Sequence, residues 1–251
     1  MRIEQGGVIS RADQQSATKT GVRKMERAHS QEKIQERRAI SATRVVASTL
    51  GGIVSIAGVM HGCFEIPQGH FAPSSLVINA VGPEQRLWEY ATLHAFTLIP
   101  NYLVTGILAI IFGVLATIWA IAFIDKKAGP LVMFLLSILL FVVGGGFGPL
   151  LVGSFAALIA TRIDQPLTWW RAHLSPQARH ILVKLWPWLF IFYVLMFLSA
   201  VETTIFGQPL NQLLDANTTY VIVLNAGNFM LIFMLLSVVT AFAHDIEVAE
   251  K

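Results

Sequence analysis

Charge is scarce in this chain. Asp, Glu, Lys and Arg make up 13% of its 251 residues, against 55% hydrophobic residues. With a mean hydropathy of +0.63, that balance excludes an ordinary soluble domain. Cysteine is nearly absent, Cys63 being the only one, so no internal disulfide forms and the redox compartment is not readable. The metalloprotease pattern HExxH is missing, and the stretch GGGFGPLLVGS lacks the lysine and hydroxyl with which a phosphate-binding loop holds a nucleotide. No motif assigns a cofactor.

What is present is uncharged length. A helix needs roughly 20 apolar residues to cross a hydrocarbon core about 30 Å thick. Five uncharged stretches answer that need: 45–62, 95–124, 128–161, 185–201 and 216–243. They predict an all-α, polytopic transmembrane helix bundle whose first partner is the lipid bilayer.

The net charge of +3 belongs to the tail. Residues 1–44 carry ten Lys/Arg against five Asp/Glu, and the remainder carries eight against ten. Basic residues before a first apolar run hold that end in the cytoplasm, a simpler reading than contact with nucleic acid. The run 45–62 is too long, and preceded by too much polar chain, for a cleaved secretory signal; it reads as a retained anchor. Residues 1–20 show no apolar periodicity and predict disorder, while 24–40 interleave opposite charges on good helix formers and predict a solvated helix. Met25 offers a second candidate start. The resulting division is a cytoplasmic tail over 1–44, a membrane domain over 45–243 with an outer loop at 63–94, and a short tail over 244–251.

The stretch 128–161 decides the topology. Its 34 residues would make a helix about 51 Å long, far more than a crossing requires. Its middle reads GGGFGP, a poor helix centre and a good turn. One long kinked span and a hairpin of two short helices both remain open. Charge favours the hairpin, because Lys126 and Lys127 precede the stretch and Arg162, Arg171, Arg179 and Lys184 follow it, and positive residues prefer the cytoplasmic side. The count is then six apolar segments with both ends inside. A re-entrant hairpin buried in protein satisfies the same pattern. In the outer loop, GPEQRLWEYATLH places Leu87, Tyr90, Ala91 and His94 at helical spacing after Pro83 and predicts a short surface helix.

The candidate site follows from where polar residues interrupt this pattern. His61 and Glu65 are four apart and, if the helix continues through Glu65, share a face close to a small-residue stripe, Ala47, Gly51, Ser55, Gly58 and Gly62, that admits a neighbouring helix. In the hairpin topology His94, Asn101, Glu202, Asn225 and Asn228 converge on the same leaflet. Such a set suits a polar or proton-linked solute. It also suits a transition metal, with His61, Glu65 and Glu202 as candidate ligands. The bland alternative makes Glu65 an interfacial helix end, His61 a packing residue and the glycines helix contacts. Three functions stay open: a transporter or small-molecule binding protein, a metal-dependent membrane enzyme, and a structural subunit that meets a second copy or a partner subunit.

Taken together, HGCFEIPQG, GGGFGP, PLTWWR and KLWPW resemble motifs of a family of prokaryotic multi-pass membrane proteins, over about residues 40–243. The resemblance implies an integral location in the cell membrane and brings no activity, cofactor or catalytic residue.

Overall fold

The computed structural model describes residues 23–26, 29, 41–207 and 210–250. The readings of disorder over 1–20 and of most of the helix over 24–40 lie outside the described residues. The chain divides into two units, Met1–Ile40 and Ser41–Lys251. In the first, residues 23–26 are helical and exposed. The remainder of the fold concerns the second.

Helix α1, Ala42–Glu65, starts at a polar cap. The Ser41 hydroxyl accepts from the Arg44 N–H and donates to Asp245, whose carboxylate also accepts from the Ala42 and Thr43 N–H groups at 2.8 and 2.9 Å. A carboxylate there satisfies otherwise orphaned amides and complements the positive helix end. The helix runs through Glu65, and the turn Ile66–Gln68 with Pro67, followed by Gly69 at φ 74°, takes the chain out. Helix α2, Tyr102–Ala122, is capped by Asn101, whose side chain accepts from Val104 N–H.

The predicted small-residue stripe is buried along its whole length. Its tightest point is Gly62, where a Cβ would stand 2.4 Å from the Gly106 carbonyl oxygen of α2. Glycine at both positions lets the two backbones touch, the usual way membrane helices gain packing where the hydrophobic effect does little.

The connection between α1 and α2 corrects two expectations. Residues Val77–Asn79 (β1) pair antiparallel with His94–Phe96 (β2), Ile78 opposite Ala95, so the fold is not wholly helical. The helix expected after Pro83 is confined to a single tight turn, Pro83–Gln85, and Arg86 is already extended. So short a segment gains little from helix propagation. The Asn79 side chain instead accepts from the Val81 and Leu93 N–H groups and closes the loop on itself.

The stretch 128–161 forms two packed helical pieces: α3, Gly129–Val142, and a wide turn, Pro149–Gly153, that leads into α4, Ser154–Ala160. Between them Gly144 and Gly146 adopt φ of 96° and 86°, a region open to glycine at no steric cost. The tip is tied to β2 by Gly144 N–H to the Phe96 carbonyl, and to the residues just after it by Leu98 N–H to the Val142 carbonyl. After the short α5, Thr168–His173, come α6, Pro176–Phe206, then α7, Leu210–Leu213, and α8, Ala216–Glu250.

Side-chain contacts define two ends of this bundle. At one, Asp245 of α8 caps α1, Arg44 lies 3.5 Å from Asp125, and Arg179 of α6 lies 2.7 Å from Glu250. At the other, Trp88 donates from its indole N–H to the Thr204 carbonyl of α6, and Tyr90 stacks on Tyr220 of α8. Leu50, Val54, Met133, Tyr193 and Phe242 belong to the shared core. Helices α1, α2, α6 and α8 are long and apolar enough to cross a membrane, consistent with an integral membrane protein, while α3 and Pro149–Ala160 are shorter apolar helices.

Candidate functional site

Glu65 is the last residue of α1 and is fully buried. Neither carboxyl oxygen has a hydrogen-bond partner among the described residues. The Thr105 hydroxyl, which faces the same glycine, is already committed. Thr105 Oγ1 donates to the Val143 carbonyl at 2.5 Å, and it pairs with Thr97 Oγ1 at 2.8 Å. Since Thr105 spends its one proton on Val143, the proton between the two threonines comes from Thr97, and neither hydroxyl is left to serve Glu65.

The glycine turn covers this carboxyl directly. A Cβ on Gly144 would stand 2.8 Å from each Glu65 oxygen and 2.7 Å from Thr105 Oγ1. Two residues on, a Cβ on Gly146 would stand 2.5 Å from His61 Nε2. The turn and α1 therefore run past each other, Gly144 against Glu65 and Gly146 against His61. His61 is 9% exposed, and its Nδ1 lies 2.9 Å from the Ala57 carbonyl. A carbonyl only accepts, so the proton sits on Nδ1 in that bond. The His94 backbone also approaches the ring.

The other predicted residues are placed differently. His94 is exposed on β2, and Asn101 serves as the α2 cap, its amide nitrogen 3.4 Å from His70 Nδ1. Glu202, Asn225 and Asn228 are exposed on α6 and α8, and Asn225 donates to its own helix at Val221. No hydrogen bond or ion pair among the described residues joins these three to His61 or Glu65. Among the described residues, likewise, no three His, Cys, Asp or Glu side chains gather as metal ligands. Cys63 is exposed.

Sequence reasoning missed Gly144 against Glu65, Gly146 against His61, and the paired hydroxyls of Thr105 and Thr97 at the same turn. The GGGFGP turn was visible as a turn, yet nothing in it named the helix it would cover. The threonines carry no motif at all.

Chemically, the arrangement is a carboxyl group without a donor, closed in by acceptor oxygens, glycine backbone and a histidine one turn away. An isolated carboxylate in such surroundings costs several kcal/mol. A proton removes that charge without needing space. Comparison of the chain with protein-family models, with curated proteins and with solved structures returns no match.

Proposed function

We propose that this is a multi-pass protein of the prokaryotic cell membrane in which Glu65 is a proton-binding group. His61 stands beside it, and the glycine turn closes a proton-linked site for a small polar solute, used in transport or binding. The observation that carries the reading is the buried, donor-free carboxyl of Glu65. Ionisable residues inside a membrane domain are costly and are by default part of a pathway. The accompanying topology has six apolar segments and both ends cytoplasmic. It is supported by Lys126 and Lys127 lying on the loop beside Asp125, which Arg44 reaches, and by the absence of Lys and Arg from 203–218.

Infrared spectroscopy of the reconstituted protein tests the site. A protonated carboxyl band at neutral pH that Glu65→Gln removes is the expected result. No Glu65-dependent acid band between about pH 5 and about pH 9 overturns it. Proton movement into liposomes, driven by small polar solutes and lost in Glu65→Gln, then separates transport from binding. For the topology, Cys63→Ser protein with a single cysteine at the exposed Gln177 or Gln212 is treated with an impermeant thiol reagent in intact cells. Labelling at 212 and not at 177 is expected; the reverse overturns the arrangement.

A second reading, a structural subunit without a ligand, draws on the backbone contact of Gly62 with Gly106. It predicts that Gly62→Leu abolishes accumulation while Glu65→Gln leaves every property unchanged.

A further inference from the structure

A groove of about 800 Å³ lies between α3 and α4, at the end of the bundle marked by Asp125. Its size falls within the range of about 300–1,000 Å³ common for small-molecule sites. It shares no lining residue with the Glu65 site. Its polarity changes along its length. Leu131, Phe134 and Leu158 form apolar walls and are 61%, 41% and 58% exposed, while Asp125, Lys126 and Lys127 sit at its mouth.

The charge at that mouth is unbalanced. Asp125 Oδ2 is shared by two cations, Arg44 Nε at 3.5 Å and Lys126 Nζ at 4.0 Å. Lys127 has no acidic partner among the described residues. Within the groove lining two lysines therefore face one carboxylate, which Arg44 also holds from outside the lining, and an anion balances the remaining positive charge. Ser154, whose hydroxyl has no hydrogen-bond partner among the described residues, lines the groove further in.

A soluble anion would use the mouth and leave the apolar walls bare. A membrane lipid uses both, because the same molecule carries a phosphate and a hydrocarbon chain. We propose that this groove binds an anionic glycerophospholipid, its phosphate held by Lys126 and Lys127 and one acyl chain lying along Leu131, Phe134 and Leu158. Basic pockets between membrane helices hold anionic headgroups in this way, each lysine adding about fivefold in affinity. The inference does not rest on the role of Glu65.

The test is native mass spectrometry of the full chain with equimolar phosphatidylglycerol and phosphatidylcholine. The protein is expected to retain phosphatidylglycerol selectively. The double variant Lys126→Gln/Lys127→Gln is expected to lose roughly 30-fold of that preference, whereas Lys184→Gln, an exposed lysine outside the groove, keeps it. If the double variant does not accumulate, the single variants carry the test at about fivefold each. Unchanged preference in the groove variants overturns the proposal, as does an equal loss in Lys184→Gln. Inorganic phosphate provides the last arm: if it raises the thermal midpoint as much as phosphatidylglycerol does, the occupant is a free anion and the lipid assignment fails.

Discussion

The Glu65 carboxyl rests on the Cα of Gly144, so close that a methyl group there would stand 2.8 Å from both of its oxygens. A single backbone position thus closes the site and excludes any side chain. Gly144 also has φ 96°, which costs an L-residue roughly 1–2 kcal/mol. Gly144→Ala is expected to lower the thermal midpoint by roughly 5 °C or more. Adding Glu65→Ala should recover the steric part of that loss and leave the conformational part. Full recovery, or none, in the double variant would contradict the contact.

Gly62 and Gly227 make a contrasting pair. Both lie inside long helices, yet a Cβ on Gly62 meets the Gly106 carbonyl at 2.4 Å, and one on Gly227 meets nothing within 4 Å. Gly62→Ala should separate α1 from α2 and reduce accumulation sharply. Gly227→Ala should be neutral or stabilising by up to about 1 kcal/mol, the ordinary helix gain. Thermal midpoints in one detergent check both.

Much of this fold was legible along the chain. The helix over 45–62 followed from uncharged length, its continuation through Glu65 was only the condition for His61 and Glu65 to share a face, and the buried stripe from Ala47 to Gly62 followed from small residues at helical spacing. The turn at 144–149 followed from glycine and proline, which make a poor helix centre. What was not legible depends on tertiary pairing. β1 and β2 are three residues each, too short to carry a periodic signal, and the helical spacing from Leu87 to His94 pointed the other way. The convergence of Glu202, Asn225 and Asn228 on Glu65 assumed that residues at one depth meet. Depth alone does not set rotation about a helix axis, and the structure turns all three to the outside.

Asp215 offers a pH-dependent contact outside the long helices. Its carboxylate accepts from the Thr218 hydroxyl at 2.6 Å and the Thr218 N–H at 3.0 Å. Those bonds, the hydroxyl first, hold its pKa below the usual value. Because the folded-state value is depressed, the contact contributes above the ordinary carboxylate range and is lost as pH falls through the lowered value. Amide exchange in the first turn of α8, corrected for intrinsic rates, should rise on acidification to about pH 3. In Asp215→Ala it should already be fast at neutral pH. Equal protection in both proteins would remove the cap from the account.

Asp245 ties the two ends of the second unit's chain together. It lies in the last turns of α8, yet it accepts from the Ser41 hydroxyl and the Ala42 and Thr43 N–H groups more than two hundred residues away. Three charge-assisted bonds on one partly buried carboxylate make this the strongest polar link between α1 and α8, and removing it leaves the first amides of α1 without acceptors. Asp245→Ala is expected to cost about 2–4 kcal/mol. Asp245→Asn should cost less, because one amide oxygen still accepts while its NH2 faces donors. Glu250→Ala removes a partly exposed carboxylate shared by Arg179 and Arg171 and should cost about 1 kcal/mol or less. The ordering Asp245→Ala, Asp245→Asn, Glu250→Ala in thermal midpoint is the check. If Glu250→Ala proves as damaging as Asp245→Ala, the α6 to α8 pair rather than the α1 cap holds this end closed.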